Sequence, residues 1–579
     1  MTTIVLKDAY KANTRDQEKT LTPGQTLDRF HEKLKTLDLA IFERAERIDR
    51  GRLDIPVYFS VCGKDAAALT GKKQQMGKGG TPEQAEASAV MELAERFSFY
   101  AFADNPENFV TDKHRNLGDR AIPLSEIAKS VHDRTPDLDR ALALFADYPQ
   151  RWCSATDLAT GREVLVPFDW FFMINEFNGT SAGNCAEEAL LQGVCEVAER
   201  HVSARVCRDY MTTPAIDPDS ATDPMARELL EKYARAGIVL HLNDFTLDTG
   251  IPTVGALAYD PETMGVASEI VWTAGTAPSP EKALCRALTE VAQLAGDFNT
   301  GANYVASGLP KFRGIEEADY VLLAEELVGI NDLPNLSDPN IRVELERCVA
   351  AMANAGMNCY AIETTHPDLG IPAFYTMAPG AMFRERAAAS SVALFLARHV
   401  TENQPVPIAI AMLTALENAL PGRYFLPFYL GTMQTRMRDY DKAVAHFDEA
   451  LSRDPHPEDE PAILTYKGMA LKDQERYDDA AGVLDRALEL DPERTDTLNL
   501  LGFCKFRLKR HMEAIQVFER LLDIDPSSAI DYANIGSNYR EMGDYDQALR
   551  FYEHALSLDP SIGFARDSVE RIRAMRREE

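Results

Sequence analysis

Two short stretches of this sequence carry nearly the same set of carboxylates and arginine: "MELAERF" at 91–97 and "CEVAERH" at 195–201. Both read as helix. At roughly 100° per residue, a helix from Pro82 to Phe102, with Thr81 as its cap and Pro82 in its first position, places Val90, Leu93, Ala94 and Phe97 on one apolar stripe. Ser88, Glu92 and Glu95 then gather on the opposite side, within roughly 60° of one another. A second helix beginning near Ala186 gathers Glu188, Gln192, Glu196 and Glu199 inside roughly 80°, with Arg200 beside them. In a third, "SPEKALCRALTEVAQ", Arg286 and Glu290 share a face at i, i+4.

On one isolated helix an acidic i, i+3 pair is an ordinary solvated face. Here the same pentapeptide occurs twice, each time after a glycine-rich approach, "QMGKGGTPEQAEASA" and "FNGTSAGNCAEEALL", whose backbone amides can come close to an anion. Neither approach is a Walker A loop, which needs G-x-x-x-x-G-K-[ST] after a strand. Carboxylates converging from three helices are costly unless cations neutralise them. Mg2+ is a hard ion that takes carboxylate and phosphate oxygens together, so the cluster suits ATP held through its metals, with Arg200 and Arg286 on phosphate oxygens.

The elements that must position these residues also repeat. "KLKTLDLAIFERAERIDRGRLDIPVYFSV", "KYARAGIVLHLNDFTLDTGIPTVGALAY" and "AMANAGMNCYAIETTHPDLGIPAFYTMA" share one plan: helix end, strand, turn, then a strand opened by Ile-Pro. Pro56, Pro252 and Pro372 sit at strand starts, where a missing N–H is tolerated. A threefold α/β design follows. The C-terminal quarter has another period: Gly431, Gly468, Gly502 and Gly536 are spaced 37, 34 and 34, and Pro455, Pro492, Pro526 and Pro560 keep the same intervals. That is the tetratricopeptide pattern of paired helices, which presents a concave face to partner helices or peptides.

The chain's 579 residues suit two to four domains, and 45% hydrophobic with 26% charged residues is a globular composition. A net charge of -30 without a basic groove argues against nucleic acid. The N-terminus lacks a signal-peptide core and the apolar runs are short for a membrane span, so the expected location is the cytoplasm, with no membrane partner. Nine scattered cysteines signal neither zinc nor a disulfide framework; Cys185, Cys195 and Cys285 read as small buried residues. His201 reads as an ordinary helix residue, with a base as the alternative.

In order and spacing, "GKGGTPEQAEASAVMELAERFS", "NGTSAGNCAEEALLQGVCEVAERHV" and "ALCRALTEVAQ" resemble the ATP-binding signature of the YcaO family, over about residues 25–400. The resemblance implies a nucleotide bound without a P-loop. It carries metal-bridging roles to Glu92, Glu95, Glu196 and Glu199, and nucleotide contacts to Ser88, Ser181, Asn184, Glu188, Arg200, Arg286 and Glu290. Glu199, Arg200 and Arg286 would also serve catalysis. The implied chemistry is ATP-dependent activation of a peptide amide, giving an azoline with a neighbouring Cys, Ser or Thr, or a thioamide with sulfide.

Azoline-forming members often end in a proline-rich tail, and "QPVP" is not that tail; no precursor-binding winged-helix segment is recognisable either. The layout resembles the stand-alone branch, which includes members linked to methylthiolation of a ribosomal protein and thioamide-forming members that use a sulfur-delivering partner protein. An N-terminal extension (1–24), a YcaO-like α/β domain (25–405), a linker (406–424) and an all-α tetratricopeptide superhelix (425–579) are expected. Such repeats would recruit a protein or peptide substrate or a partner; a homodimer and a nucleotide-binding scaffold without turnover are the other readings.

Overall fold

The computed structural model describes residues 4–15, 18–262, 270–299, 312, 314–324, 326–383, 390–525 and 528–578. It divides into two compact units, Met1–Arg134 with Phe145–Arg386, and Thr135–Leu144 with Ala387–Glu579.

The first unit is built on three sheets. β1 (Phe42–Arg47), β2 (Val57–Cys62) and β3 (Gln74–Lys78) form one, in that order. A second contains β4 (Val110–Lys113), β5 (Pro149–Asp157), β6 (Glu163–Pro167) and β7 (Thr180–Ala182). The third contains β8 (Ala215–Asp217), β9 (Val239–Asp244), β10 (Thr253–Tyr259), β11 (Val271–Thr276) and β12 (Leu327–Gly329), in the order β11-β10-β9-β8-β12. β13 (Tyr360–Glu363) and β14 (Ala373–Met377) return to the second sheet, whose order is β4-β5-β13-β14-β7, with β6 also on β5. Pro56, Pro252 and Pro372 immediately precede β2, β10 and β14. Each of those strands pairs antiparallel with the one before it, so the threefold plan is a feature of the fold.

One long helix follows a strand of each sheet: Pro82–Asp104 after β3, Ala186–Asp209 after β7, and Pro280–Asn299 after β11. Where strand crosses helix there is no room for a side chain. A Cβ on Gly77 of β3 would lie 2.1 Å from the backbone N of Ala89, and one on Gly275 of β11 would lie 2.3 Å from that of Ala287. Small residues at both crossings let the helices lie flat on their strands, which sets the height of the carboxylates above the sheets. Val90, Leu93, Ala94 and Phe97 are buried against Phe30, Ile41 and Leu369. In the third helix Leu284, Leu288 and Val291 pack with Leu229, Tyr233 and Val254.

The second unit is helical apart from its loops among the described residues. Its repeats are the pairs Phe425–Arg436 with Tyr440–Ser452, Glu460–Asp473 with Tyr477–Leu490, Thr495–Arg507 with His511–Ile524, and Ala529–Glu541 with Tyr545–Leu558; Gly563–Glu578 closes the array. The periodic glycines fall on the first helix of each pair. A Cβ on Gly431, Gly468, Gly502 or Gly536 would meet Phe447, Leu484, Phe518 or Tyr552 of the second helix at 2.6 to 3.0 Å. Pro455, Pro492 and Pro560 follow the second helices, while Pro526 lies outside the described residues. Residues 406–424, expected as a linker, hold the helix Val406–Ala419. Its proline lies in the first turn, where no N–H is needed, and Ala409, Leu413 and Leu416 are buried. No helix among the described residues is long and apolar enough to cross a membrane.

The glycine spacing makes a paired prediction. Gly502→Ala forces a methyl against Phe518 and is expected to cost about 1–3 kcal/mol. Gly482→Ala, in the helix Tyr477–Leu490 with nothing within 4 Å, is expected to add about 0.5–1 kcal/mol. Urea unfolding of the full chain measures both; equal effects would show that the close approach does not constrain the array.

Candidate functional site

Each acidic helix is started by local chemistry that also fixes the site. Thr81 Oγ1 accepts from the amide of Gln84 at 3.2 Å, beginning the first helix directly after β3. Cys185 caps the second helix without a side-chain bond. Glu188 does that work instead, accepting from Asn184 N at 3.2 Å and Asn184 Nδ2 at 3.0 Å. The same carboxylate also accepts from the amide and the hydroxyl of Thr20, each at 3.0 Å, so the segment before Pro23 forms part of the wall.

Between the three helices lies a cavity of about 280 Å³. Ser88, Glu92 and Glu95 reach it from the first helix; Glu188, Glu196, Glu199 and Arg200 from the second, with Asn184 just before it; and Arg286 and Glu290 from the third. Ser181 does not line it: it is fully buried on β7, its Oγ without a partner among the described residues. Lys78, Arg96, Gln192 and Lys19 complete the polar wall.

The carboxylates are held by cations and backbone. Arg96 stands 3.6 Å from Glu92 and 3.5 Å from Glu95, and its guanidinium covers the Phe177 ring at 4.6 Å. Thr180 Oγ1 donates to Glu95 at 2.6 Å. Glu196 pairs with Arg200 at 3.8 Å, and Glu199 accepts from the amide of Thr276 at 3.0 Å, tying the second helix to the end of β11. Arg286 donates to Gln192 at 2.8 Å, and Lys78 is ion-paired with Glu290.

This pairing leaves the negative charge under-compensated. Burial raises the proton affinity of Glu92 and Glu95 above the usual carboxylate range, against the pull of Arg96. Burial pushes Glu196 up to about 7, with Glu95 adding to the effect and Arg200 opposing it. Lys78 moves the other way, down to about 7, because burial and then Arg286 disfavour its charge. Among the described residues no three His, Cys, Asp or Glu side chains converge tightly enough to hold a metal by themselves. Mg2+ is usually held by one or two carboxylates together with phosphate oxygens and water, so this donor set fits a metal that arrives with a nucleotide. Arg286 Nε, buried without a partner among the described residues, supplies a donor suited to an anion.

Three cationic wall residues, Arg96, Lys78 and Lys19, were not singled out by sequence reasoning as nucleotide or metal contacts. Arg96 ends the first Glu-x-Ala-Glu-Arg, as Arg200 ends the second, and the repeat itself is the signal that finds it. Lys78 lies in "GKGG", read only for its backbone; Lys19 carried no signal. His201 is buried, accepts from the amide of Met382 at 3.0 Å and is pushed by burial down to about 4, so it is a neutral structural residue. All nine cysteines are free, with Cys195 and Cys285 buried and Cys185 half-buried.

The chain thus combines a mixed α/β domain, whose three helices bring carboxylates, arginines and lysines to one cavity, with helical repeats. The family described as YcaO cyclodehydratase, ATP- and Mg2+-binding, matches residues 76–382, over half of the chain, and the chain belongs to it. Its cofactors are accordingly ATP and Mg2+. Tetratricopeptide repeats match at 493–561, and the repeat-containing anaphase-promoting complex subunit 3 family at 436–521.

An uncharacterized protein of Methanothermobacter thermautotrophicus is 29% identical over 387 residues, covering 62% of this chain and 93% of that one. The ribosomal protein S12 methylthiotransferase accessory factor YcaO of Escherichia coli is 28% identical over 279 residues, 42% of this chain and 45% of its own length. Among solved structures, a heterocyclase in complex with substrate and cofactor has a TM-score of 0.54 at 21% identity, covering 66% of this chain and about half, 55%, of that one. YcaO from Methanopyrus kandleri bound with AMPPCP and Mg2+ has a TM-score of 0.50 at 23% identity, covering 65% and 95%. Both show the same fold.

The raised proton affinity of Glu196 has a stability consequence. Its folded value, about 7, exceeds the ordinary 4.5, so the folded state binds more protons than the unfolded chain and loses stability as pH climbs through that window. Glu196→Gln without nucleotide is therefore expected to melt higher than wild type at about pH 8, with a flatter decline from about pH 5. Scanning calorimetry measures it; parallel declines would mean that Glu196 is ionised throughout.

Proposed function

We propose that the protein activates backbone amides of a peptide or protein substrate by ATP-dependent phosphorylation of the amide oxygen, giving a thioamide or an azoline. The observation that carries this reading is the convergence of ten of the eleven candidate residues on one polar cavity whose half-buried carboxylates lack sufficient cation.

Bound Mg2+·ATP supplies the phosphoryl group that turns an amide oxygen into a leaving group. The chain's part is to orient and stabilise. Glu92, Glu95, Glu196 and Glu199 would hold the metal, and Ser88, Asn184, Glu188 and Glu290 would complete the nucleotide wall; Ser181 would support the second helix from behind. Arg200 and Arg286 would hold the phosphates and steady the charge that builds as sulfide, or a neighbouring Cys, Ser or Thr, adds to the carbonyl carbon. The original oxygen departs on phosphate and the nucleophile takes its place. No Ser-His-Asp constellation is needed, since positioning and charge stabilisation carry such a step.

The repeats would recruit the substrate or a sulfur-delivering protein, in the cytoplasm and with self-association as a further use. The name of the Escherichia coli relative favours a second reading, an accessory role acting through the repeats. One experiment separates the two: incubation of the full chain with Mg2+·ATP, sulfide and the small-protein fraction of its host cell. The enzyme reading expects phosphate release together with a mass change equal to oxygen-for-sulfur exchange or loss of one water. It also expects that Glu199→Ala lowers phosphate release on the order of 10²-fold. Nucleotide binding without turnover or mass change would favour the accessory reading.

A further inference from the structure

The helical repeats carry a cation that their own fold does not neutralise. Arg507 is exposed, and no carboxylate among the described residues lies within ion-pair distance of it, in a chain of net charge -30. Its guanidinium instead covers the ring of Tyr477 at 4.6 Å, with the Phe503 ring at 5.8 Å. Neighbouring cations are placed differently. Lys505 is paired with Glu513 at 2.9 Å, Arg510 with Asp478 at 2.8 Å and Arg476 with Asp479 at 2.8 Å.

The register of the repeats shows why Arg507 is left over. It lies five residues beyond the periodic Gly502, where the repeats on either side carry acids: Asp473 after Gly468 and Glu541 after Gly536. Both acids are already paired with the residue before them, Asp473 with Lys472 at 2.8 Å and Glu541 with Arg540 at 2.7 Å.

An apolar surface adjoins the cation. Phe503 precedes Arg507 by one helical turn, on the same face, and is 41% exposed, whereas Met469 and Ser537 at the equivalent positions are half-buried. Tyr477 meets the Phe503 ring edge-on at 6.2 Å, and Lys472 Nζ stands 5.6 Å from its centre. The patch therefore spans two repeats. Lys472 and Tyr477 come from the two helices of one pair, and Phe503 and Arg507 from the first helix of the next.

A guanidinium laid over a ring keeps its N–H groups in its own plane, pointing past the ring edge. Two rings hold it in place, so little freedom is lost when a carboxylate takes two of those donors. We propose that this patch binds an acidic segment of a partner protein, its Asp or Glu carboxylate held by Arg507 and an adjacent apolar side chain laid on Phe503. Charge complementarity selects the occupant: a basic segment would meet Arg507 and Lys472 with like charge, and a neutral one would leave the guanidinium without a counter-charge. The proposal gives the recruiting role of the repeats a chemistry, and it does not depend on the reaction assigned to the first unit.

The test uses the full chain, without nucleotide, and a random-sequence library of displayed peptides. Wild type is expected to enrich peptides in which Asp or Glu stands near an aliphatic or aromatic residue. Arg507→Glu is expected to cut retention of an enriched peptide by about tenfold or more. Phe503→Ala is expected to weaken it as well, and Arg507→Lys, which keeps the charge without the planar fork, to fall in between. Both positions are exposed, and urea unfolding shows that each variant is folded. On wild type, an enriched peptide is expected to slow amide exchange in the last turns of Glu460–Asp473 and Thr495–Arg507. No enrichment, enrichment of neutral or basic peptides, equal retention by Arg507→Glu, or exchange protection confined elsewhere would overturn the proposal. So would an oligomeric state altered by Arg507→Glu without acidic enrichment, which would assign the patch to a second copy of the chain. Should Arg507→Glu fail to fold, the exchange measurement on wild type decides alone.

Discussion

The first unit depends on one electrostatic constraint: like-charged carboxylates from separate helices face one buried cavity. Glu92, Glu95 and Glu196 are all pushed toward protonation by burial, even with Arg96 and Arg200 beside them. Buried acids in such a position need cations, and the fold supplies fewer than the acids demand. On the reading proposed above, Mg2+ arriving with a nucleotide would offset the imbalance, and Arg200, Arg286 and Lys78, which line the same cavity, would be available to phosphate oxygens. On that reading metal and nucleotide would bind together, each neutralising what the other leaves over.

The scaffold serves this constraint through close approach. At Gly77 and Gly275 a strand touches helix backbone, so the first and third helices lie against the strands that precede them. Thr276 at the end of β11 holds Glu199 of another helix, and Thr180 of β7 holds Glu95, so strand termini tie the carboxylates of one helix to strands next to the others. The repeats use the same device at Gly431, Gly468, Gly502 and Gly536 for a different end, a stacked array.

Much of this was legible in the sequence. Apolar spacing and Thr81-Pro82 specify the first helix, and the structure begins it at Pro82 as expected. The Ile-Pro strands and the periodic glycines encode the two architectures, because each is a local rule repeated. The gathering of residues in the cavity was readable for the same reason: a doubled pentapeptide on a doubled helix points in equivalent directions. What the sequence hid was non-local. Nothing in "EKTL" announces that Thr20 will cap Glu188, 168 residues away. Ser181 lies on a strand, and only the pairing of β7 with β14 shows it buried behind the wall. Residues 406–424 read as a linker, yet a proline in a first turn starts a helix as readily as it ends one, and Val406–Ala419 is helical.

The central claim is that the acidic helices form one site for nucleotide and metal together. Calorimetric titration of a non-hydrolysable ATP analogue, with and without Mg2+, into wild type and a Glu92→Ala/Glu199→Ala variant tests it most directly. The account predicts saturable binding to wild type that requires Mg2+ and is lost in the variant, with both proteins folded. Binding of equal strength without Mg2+, or binding retained by the variant, would contradict it.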